Sequence, residues 1–310
     1  MRCPIALAAI FLSGAMTGWA VYGFTTGPLL TSWLVVPAPA WFHGFARYVH
    51  DTSVTRPAFL FGERSFAGWW YYYLVALFVK TPLPLQMLSI LGTAAAVREL
   101  VRHKRPEAAL PVAVACAVVV AATLGVDDSG VRLVLPVYAM LPIMGTVAAV
   151  ELWDAHPASI PAQRLVRLTL AAILAAAAII PIRAYPDQLA YFNPTAGDRP
   201  ELILVDSNLD WGQDLYRLGA TIKRMHIDSV AVAYYGSASF EAAGVRHARP
   251  LAAAERPTGW IAASQTMLAG VGGDGAYEWL NELRPVGRVG SSLMLYYVAP
   301  RLTVPAQQHR

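Results

Sequence analysis

Lys80 stands between an apolar, aromatic-rich run and the string Thr81-Pro82-Leu83-Pro84. A cation near membrane depth is expensive. It either snorkels to the interface or does a task there, such as neutralising a lipid phosphate. Arg132 poses the same choice at the start of a later apolar run. It can pair with Asp127 and Asp128 just before it, or offer its planar fork to a phosphate. The two acids could serve as a general base or metal ligands, and a tight turn explains them equally well. A third concentration is Asp206-Ser207-Asn208-Leu209-Asp210-Trp211-Gly212-Gln213-Asp214. Asn208 or Asp210 can cap a following helix. Alternatively, amides, carboxylates and an indole together suit a sugar or another polar acceptor. The segment 25–67 adds His43, Arg47, His50, Asp51, Arg56, Glu63 and Arg64. It is too long for a bare connector, so it is either a solvated loop or a lid over a pocket, with Trp41, Phe42, Phe59 and Phe61 dipping to the interface. No phosphate loop, dinucleotide fingerprint or zinc-protease helix motif occurs. Ser129 and Ser264 lack a nucleophile-elbow context.

The elements that must position these groups are mostly membrane helices. The chain has 310 residues, 56% of them hydrophobic and 14% charged, against roughly 25% charge in soluble domains. A span needs about 20 apolar residues, and backbone in lipid must satisfy itself as helix. Five runs qualify: Ile5 to Phe24, a stretch within Gly68 to Val97, Ala109 to Val126, Leu133 to Trp153, and Leu165 to Ile182. The second is interrupted at Lys80 to Pro84. Its first part, Gly68 to Val79, is expected to lie at the interface, with Trp69, Trp70 and Tyr71 to Tyr73 at headgroup level. Leu83 to Val97 then completes the crossing. Arg98, Arg102, Lys104 and Arg105 fill one loop, and Arg164 and Arg167 mark another; both are expected inside. Segment 25–67 and everything after Arg183 then lie outside. A signal peptide is the alternative for the first run.

The expected organisation is a transmembrane domain over 1–184 and an extracytoplasmic α/β domain over 185–310. In the latter, strands are expected at Leu202 to Val205, Val230 to Tyr235, Trp260 to Ala263 and Ser292 to Val298. Helices are expected at Asp210 to Met225 and Ala276 to Leu283. The net charge of +4 comes from short basic loops that set orientation, so nucleic acid is not expected as a partner. Two cysteines, Cys3 and Cys116, exclude a disulfide framework or zinc site.

Several strings taken together resemble bacterial GT-C glycosyltransferases, the phospholipid-carrier-dependent enzymes related to protein mannosyltransferases and lipid A aminoarabinose transferases. They are Phe61-Gly62-Glu63 leading to Gly68-Trp69-Trp70-Tyr71-Tyr72-Tyr73, and Val79-Lys80-Thr81-Pro82-Leu83-Pro84. Arg132-Leu133-Val134-Leu135-Pro136-Val137-Tyr138, Tyr191-Phe192-Asn193, Val205 through Leu215, and Val286-Gly287-Arg288-Val289-Gly290-Ser291-Ser292 through Tyr296 complete the set. The resemblance implies a polytopic helical bundle followed by a small α/β domain in a bacterial inner membrane, the latter periplasmic. It implies a polyprenyl-phosphate sugar as donor, a glycan, lipid or protein as acceptor, and neither metal nor cofactor. It assigns Lys80, Arg132 and Arg64 to the lipid phosphate, and Glu63, Asp206, Asn208 and Asp210 to substrate. The first span aligns with a middle span of such enzymes, and the acidic residue expected as catalytic base has no counterpart. The resemblance therefore implies the later part of a transferase, working with an N-terminal partner, or a non-catalytic glycan-binding or assembly subunit.

Overall fold

Apolar runs of the length seen here leave a helix no alternative in lipid, and the computed structural model of the chain is helical through them. It describes residues 3–53, 57–125, 128–155, 159–245 and 247–300. The chain divides into two compact units, Met1–Thr55 and Arg56–Arg310. The first contains α1 (Cys3–Val21), a hairpin of β1 (Thr26–Pro28) and β2 (Val35–Pro37), and α2 (Pro39–Ser53). The Trp19 indole N–H donates to the Thr25 carbonyl at 2.8 Å, and Trp41 stacks on Phe45 with centroids 5.7 Å apart. The segment expected as a loop or lid is thus largely folded.

The second unit opens with a hairpin of β3 (Ala58–Leu60) and β4 (Glu63–Ser65). The helices α3 (Tyr72–Lys80), α4 (Leu83–His103), α5 (Leu110–Thr123), α6 (Leu135–Asp154) and α7 (Ile160–Arg183) follow. The break between α3 and α4 falls where the prolines place it. Thr81 turns extended, and Pro82 and Pro84 occupy the cap and first turn of α4, positions that need no amide donor. Ser159 caps α7 by accepting from the Ala162 amide.

The described residues hold three helices long and apolar enough to cross a membrane: Pro106–Thr123, Val131–Asp154 and Ile160–Arg183. This is fewer than the five expected. The apolar helix in α1 is shorter, Ala8–Val21. The second run is cut in two by its prolines, and α4 ends in Arg98, Glu99 and Arg102. Even so, α4 packs tightly on α6. A Cβ on Gly92 would lie 1.8 Å from the Met144 carbonyl oxygen, and the Ser89 hydroxyl donates to the Leu141 carbonyl at 2.9 Å. Small residues bringing backbones together are the usual interface between helices in lipid. Helices α3, α5 and α6 share a core of Tyr72, Tyr73, Ala76, Val79, Ala115, Val137 and Met144, into which Leu60 of β3 and Leu204 also pack.

Beyond α7 the chain makes short 3₁₀ turns and then the sheet domain, with α8 (Leu215–Met225), β5 (Val230–Ala233), β6 (Ala248–Pro250), β7 (Gly259–Ser264), α9 (Gln265–Leu268), β8 (Gly287–Val289) and β9 (Leu293–Val298). The strand order is β6-β5-β7-β9-β8. The pairings of β5 with β6 and β7 are parallel, and those of β9 with β7 and β8 antiparallel. Alternation along a strand sends successive side chains to opposite faces. Accordingly Val230 and Val232 pack with Leu215 and Leu218 of α8, while Ala231 and Ala233 pack with Leu268, Tyr277 and Leu280.

Three expectations fail here. Leu202 to Val205 is no strand: it follows out of the 3₁₀ turn Pro200–Leu202, and Leu204 and Val205 pack against the helices and the hairpin instead of entering a ladder. The helix begins at Leu215 rather than Asp210, because the polar side chains before it bond elsewhere. Ala276 to Leu283 shortens to the 3₁₀ turn Glu278–Glu282.

Candidate functional site

The C-terminal end of α3 and the turn that leads into α6 meet the chain that follows α7 at one junction. Lys80 closes α3 and is only 8% exposed. Its ammonium donates to the carbonyls of Leu189 and Asn208, each at 2.6 Å, and sits 4.2 Å from the Phe192 ring centroid. Asn208, fully buried, completes the knot. Its amide donates to the Tyr72 hydroxyl at 3.0 Å, and its side-chain oxygen accepts from the Val131 amide at 3.0 Å. Ser207 donates to the Ser129 carbonyl. Gly130 takes φ 129° against these two residues, and a Cβ there would lie 2.3 Å from the Ser207 hydroxyl. Asn193 secures the other side of the α3–α4 break. Its side-chain amide donates to the carbonyls of Phe78 at 2.6 Å and Thr81 at 2.9 Å. Every partner of Lys80 found here is a carbonyl or a ring, so a lysine that the sequence places at lipid depth holds protein segments together.

The acids of the third concentration divide. Asp214 is buried. One oxygen accepts from the Ser291 and Ser292 amides, at 2.7 and 2.8 Å, and from the Ser292 hydroxyl. The other receives Arg217 at 2.6 Å, which also grips Asp187. Gly290 has φ 60°, and a Cβ on it would lie 1.9 Å from Asp214, so the β8–β9 turn closes directly on the carboxylate. Asp206 adopts φ 56°, which aspartate tolerates better than most residues, and its amide donates to the Thr266 hydroxyl. Asp128 accepts from the Trp69 amide at 2.8 Å. Asp127, Arg56 and the side chains of His50 and Asp51 lie outside the described residues.

Asp210 is also fully buried. One oxygen accepts from the Gly212 amide at 2.9 Å, and the other receives no hydrogen bond. Desolvation pushes its carboxyl up to about 6; the Gly212 amide and the nearby Ser264 and Ser292 hydroxyls pull the other way. The folded-state value exceeds the unfolded one near 3.8, so the protonated form favours the fold. That stability is fully present below about pH 4 and lost as pH rises through 6. The loss is about 3 kcal/mol by pH 8, at about 1.4 kcal/mol per unit. Asp210→Asn is expected to remove this pH dependence. Thermal melting of both proteins at pH 5 and pH 8 checks it, and an unchanged pH 5-to-8 difference in the variant would refute it.

Arg132 and Trp211 lie on the exposed side of the junction. The guanidinium of Arg132 is 5.2 Å from the Trp211 ring and donates to the Ser129 hydroxyl at 2.8 Å. Trp211 is 48% exposed, and Tyr235 tilts beside it at 6.0 Å. Here Arg132 and Trp211 are exposed, with the half-buried Tyr235 beside Trp211.

Arg64 and Glu63 sit apart from this face, on β4. Arg64 pairs with Glu278 at 2.8 Å and donates to the Gly270 carbonyl. It borders a cavity of about 560 Å³ whose wall includes Arg199, Glu201, Gln265 and Asn281. Glu63, exposed, borders a neighbouring depression with Arg64 and Asp274. The junction thus unites Lys80, Asn208 and, next to Asn208, Arg132, while Arg64 and Glu63 belong to a second locality. The sequence reading did not single out Arg199, Glu201, Glu278 or Asn281. They are ordinary polar residues in two separate segments, and only the fold brings them together. Among the described residues, no three His, Cys, Asp or Glu side chains gather as metal ligands.

No protein-family model, curated protein or solved structure matches the chain.

Proposed function

We propose that the chain works in transferring a sugar from a polyprenyl-phosphate carrier to an acceptor outside a bacterial inner membrane, as the GT-C-like strings suggest, and that it supplies the carrier-binding wall. The observation that supports this reading most is the position of Arg132. It opens a membrane helix and lies exposed against Trp211 of the outer domain. A phosphate at the membrane surface takes bidentate hydrogen bonds from such a fork, and an indole face beside it suits the attached sugar. On this reading α1 and the α3–α4 pair also cross the membrane, giving five spans. The sheet domain is then periplasmic, with Arg98, Arg102, Lys104 and Arg105 inside.

The buried state of Asp210 and Asp214 favours a second version, a subunit that binds the carrier or glycan without catalysing transfer. Neither acid can reach a bound acceptor as general base without the domain opening.

Titration of the chain in nanodiscs with a polyprenyl-phosphate hexose tests the proposal. Arg132→Ala is expected to weaken binding about 10- to 100-fold, the value of a charge-assisted bond at roughly 1.5–3 kcal/mol. Its thermal midpoint should stay close to that of the parent. Equal affinity in the two proteins would end the assignment. Movement of radiolabelled hexose to an acceptor by the chain alone would eliminate the non-catalytic version.

A further inference from the structure

Helix α3 is nine residues long, about 13.5 Å at 1.5 Å per residue, against about 30 Å for a hydrocarbon core. It is too short to cross a membrane. Its tethers lie on the side where α6 begins. Just before it, the Trp69 amide donates to Asp128, in the α5–α6 connection. The Tyr72 hydroxyl accepts from the Asn208 side chain, and Lys80 reaches the carbonyls of Leu189 and Asn208, all in the chain after α7. The Asn193 backbone amide donates to the Val79 carbonyl at 2.8 Å. A helix held at both ends by connections on one side of a bundle lies along that side.

The two faces of α3 differ in what covers them. Tyr72, Tyr73, Ala76 and Val79 are buried in the helical core. Trp70, Leu74 and Phe78 are each more than half exposed, and residues four apart share a face. A face turned to water is normally polar; this one is wholly apolar. A groove of about 430 Å³ runs between α3 and α5. Trp70 and Leu74 form one wall, and Cys116, Val119, Val120 and Leu124 form the other.

The second wall says what fills it. It belongs to the membrane-crossing helix Pro106–Thr123 and the residue just beyond it, and Val120 and Leu124 are themselves exposed. The groove is therefore continuous with surface that meets lipid, and its occupant is a hydrocarbon tail. Trp70 favours one kind of tail. An indole settles at headgroup level and its N–H seeks an acceptor. The ester carbonyls of a phospholipid lie at that level, and a polyprenyl phosphate has none.

We propose that the groove between α3 and α5 binds an acyl chain of a phospholipid, with Trp70 at the level of its ester linkages. The bound tail covers the side of α3 opposite the core that holds Tyr72, whose hydroxyl secures Asn208. The site is lined by none of the residues of the Arg132–Trp211 face, and it does not rest on the sugar-transfer reading.

The test moves the full chain from phosphatidylcholine nanodiscs into mild detergent and weighs it by native mass spectrometry. One phosphatidylcholine per chain is expected to stay bound. Cys116→Trp places an indole in the groove from an exposed position. It should cut retention about 10-fold or more, since each methylene kept out of the groove costs about 4-fold in affinity. Trp70→Ala should lower retention as well, and Cys116→Ala should preserve it. In intact nanodiscs, a phosphatidylcholine with a diazirine on its acyl chain should label 70–78 and 115–124 ahead of the exposed face of α7. No retained lipid, retention unchanged in both Cys116→Trp and Trp70→Ala, or labelling spread evenly over α5 and α7 would each overturn the proposal. Displacement of the phosphatidylcholine by equimolar polyprenyl phosphate, or a dimer of the chain that Cys116→Trp breaks, would give the groove to another occupant and overturn it likewise.

Discussion

Asp214→Ala is expected to lower stability by about 5 kcal/mol and to melt the β8–β9 corner of the sheet domain. The carboxylate accepts from two backbone amides, a hydroxyl and Arg217. Deleting it strands two amides and a hydroxyl beneath the turn, at about 1–3 kcal/mol for each group left buried without a partner. Arg217 keeps Asp187, which limits the damage on that side. Whole domains are stable by only 5–15 kcal/mol, so the effect is large. Amide exchange checks it. Protection should fall at Ser291 and Ser292 and through β9, with α5 and α6 unchanged. Wild-type protection at the turn would mean that Asp214 is dispensable. Asp214→Asn, which can accept but also carries donors facing donors, should fall between the two.

Lys80→Met carries the second large effect. The apolar replacement is spared the cost of burying an ammonium, several kcal/mol in real proteins, and that alone would stabilise. Against it, the carbonyls of Leu189 and Asn208 lose their donor, at about 1–3 kcal/mol each. The contact over Phe192 goes too, at about 0.5–2 kcal/mol. The wild-type ammonium recovers its burial cost through those same groups, so the loss should prevail by about 2–4 kcal/mol. The damage should be local. Limited proteolysis is expected to open the segment 185–214 in the variant while the helices resist. Equal resistance of that segment in both proteins would refute the role given to Lys80.

These two residues mark what a sequence can and cannot disclose. The apolar runs and the break at Lys80 to Pro84 were legible because lipid and proline leave the backbone few choices. The core of the sheet domain was legible because a buried strand such as Val230–Ala233 needs apolar residues on both faces. Lys80 itself was legible as unusual, but not its partners. Those are backbone carbonyls 109 and 128 residues away, and any residue has a carbonyl. The polar string from Asp206 to Asp214 was legible as a concentration. It invited a local explanation, a cap for the next helix. In the structure Asn208 reaches Tyr72 and Val131, Asp214 reaches Ser291 and Ser292, and α8 starts without a side-chain cap. The expected strand at Leu202 to Val205 failed for a related reason. Its apolar residues pack against the helices and the hairpin, not into a ladder: Leu204 joins the core of α3 and α6, and Val205 packs with Phe59.

The junction has a consequence for function. Asn208 holds the amide of Val131, next to Arg132, while Trp211 follows Asn208 by three residues. The bond that fixes the start of α6 to the segment before α8 therefore also fixes the cation to its indole. A carrier phosphate bound there would be held by groups from both sides of the junction.

Photocrosslinking tests that claim most directly. The full chain in nanodiscs is irradiated with a polyprenyl-phosphate hexose bearing a diazirine on its sugar, and the adducts are mapped by mass spectrometry. The account predicts adducts within 129–138 and 206–214, competed by unlabelled carrier and lost in Arg132→Ala. Adducts confined to other segments, or unchanged in the variant, would contradict it.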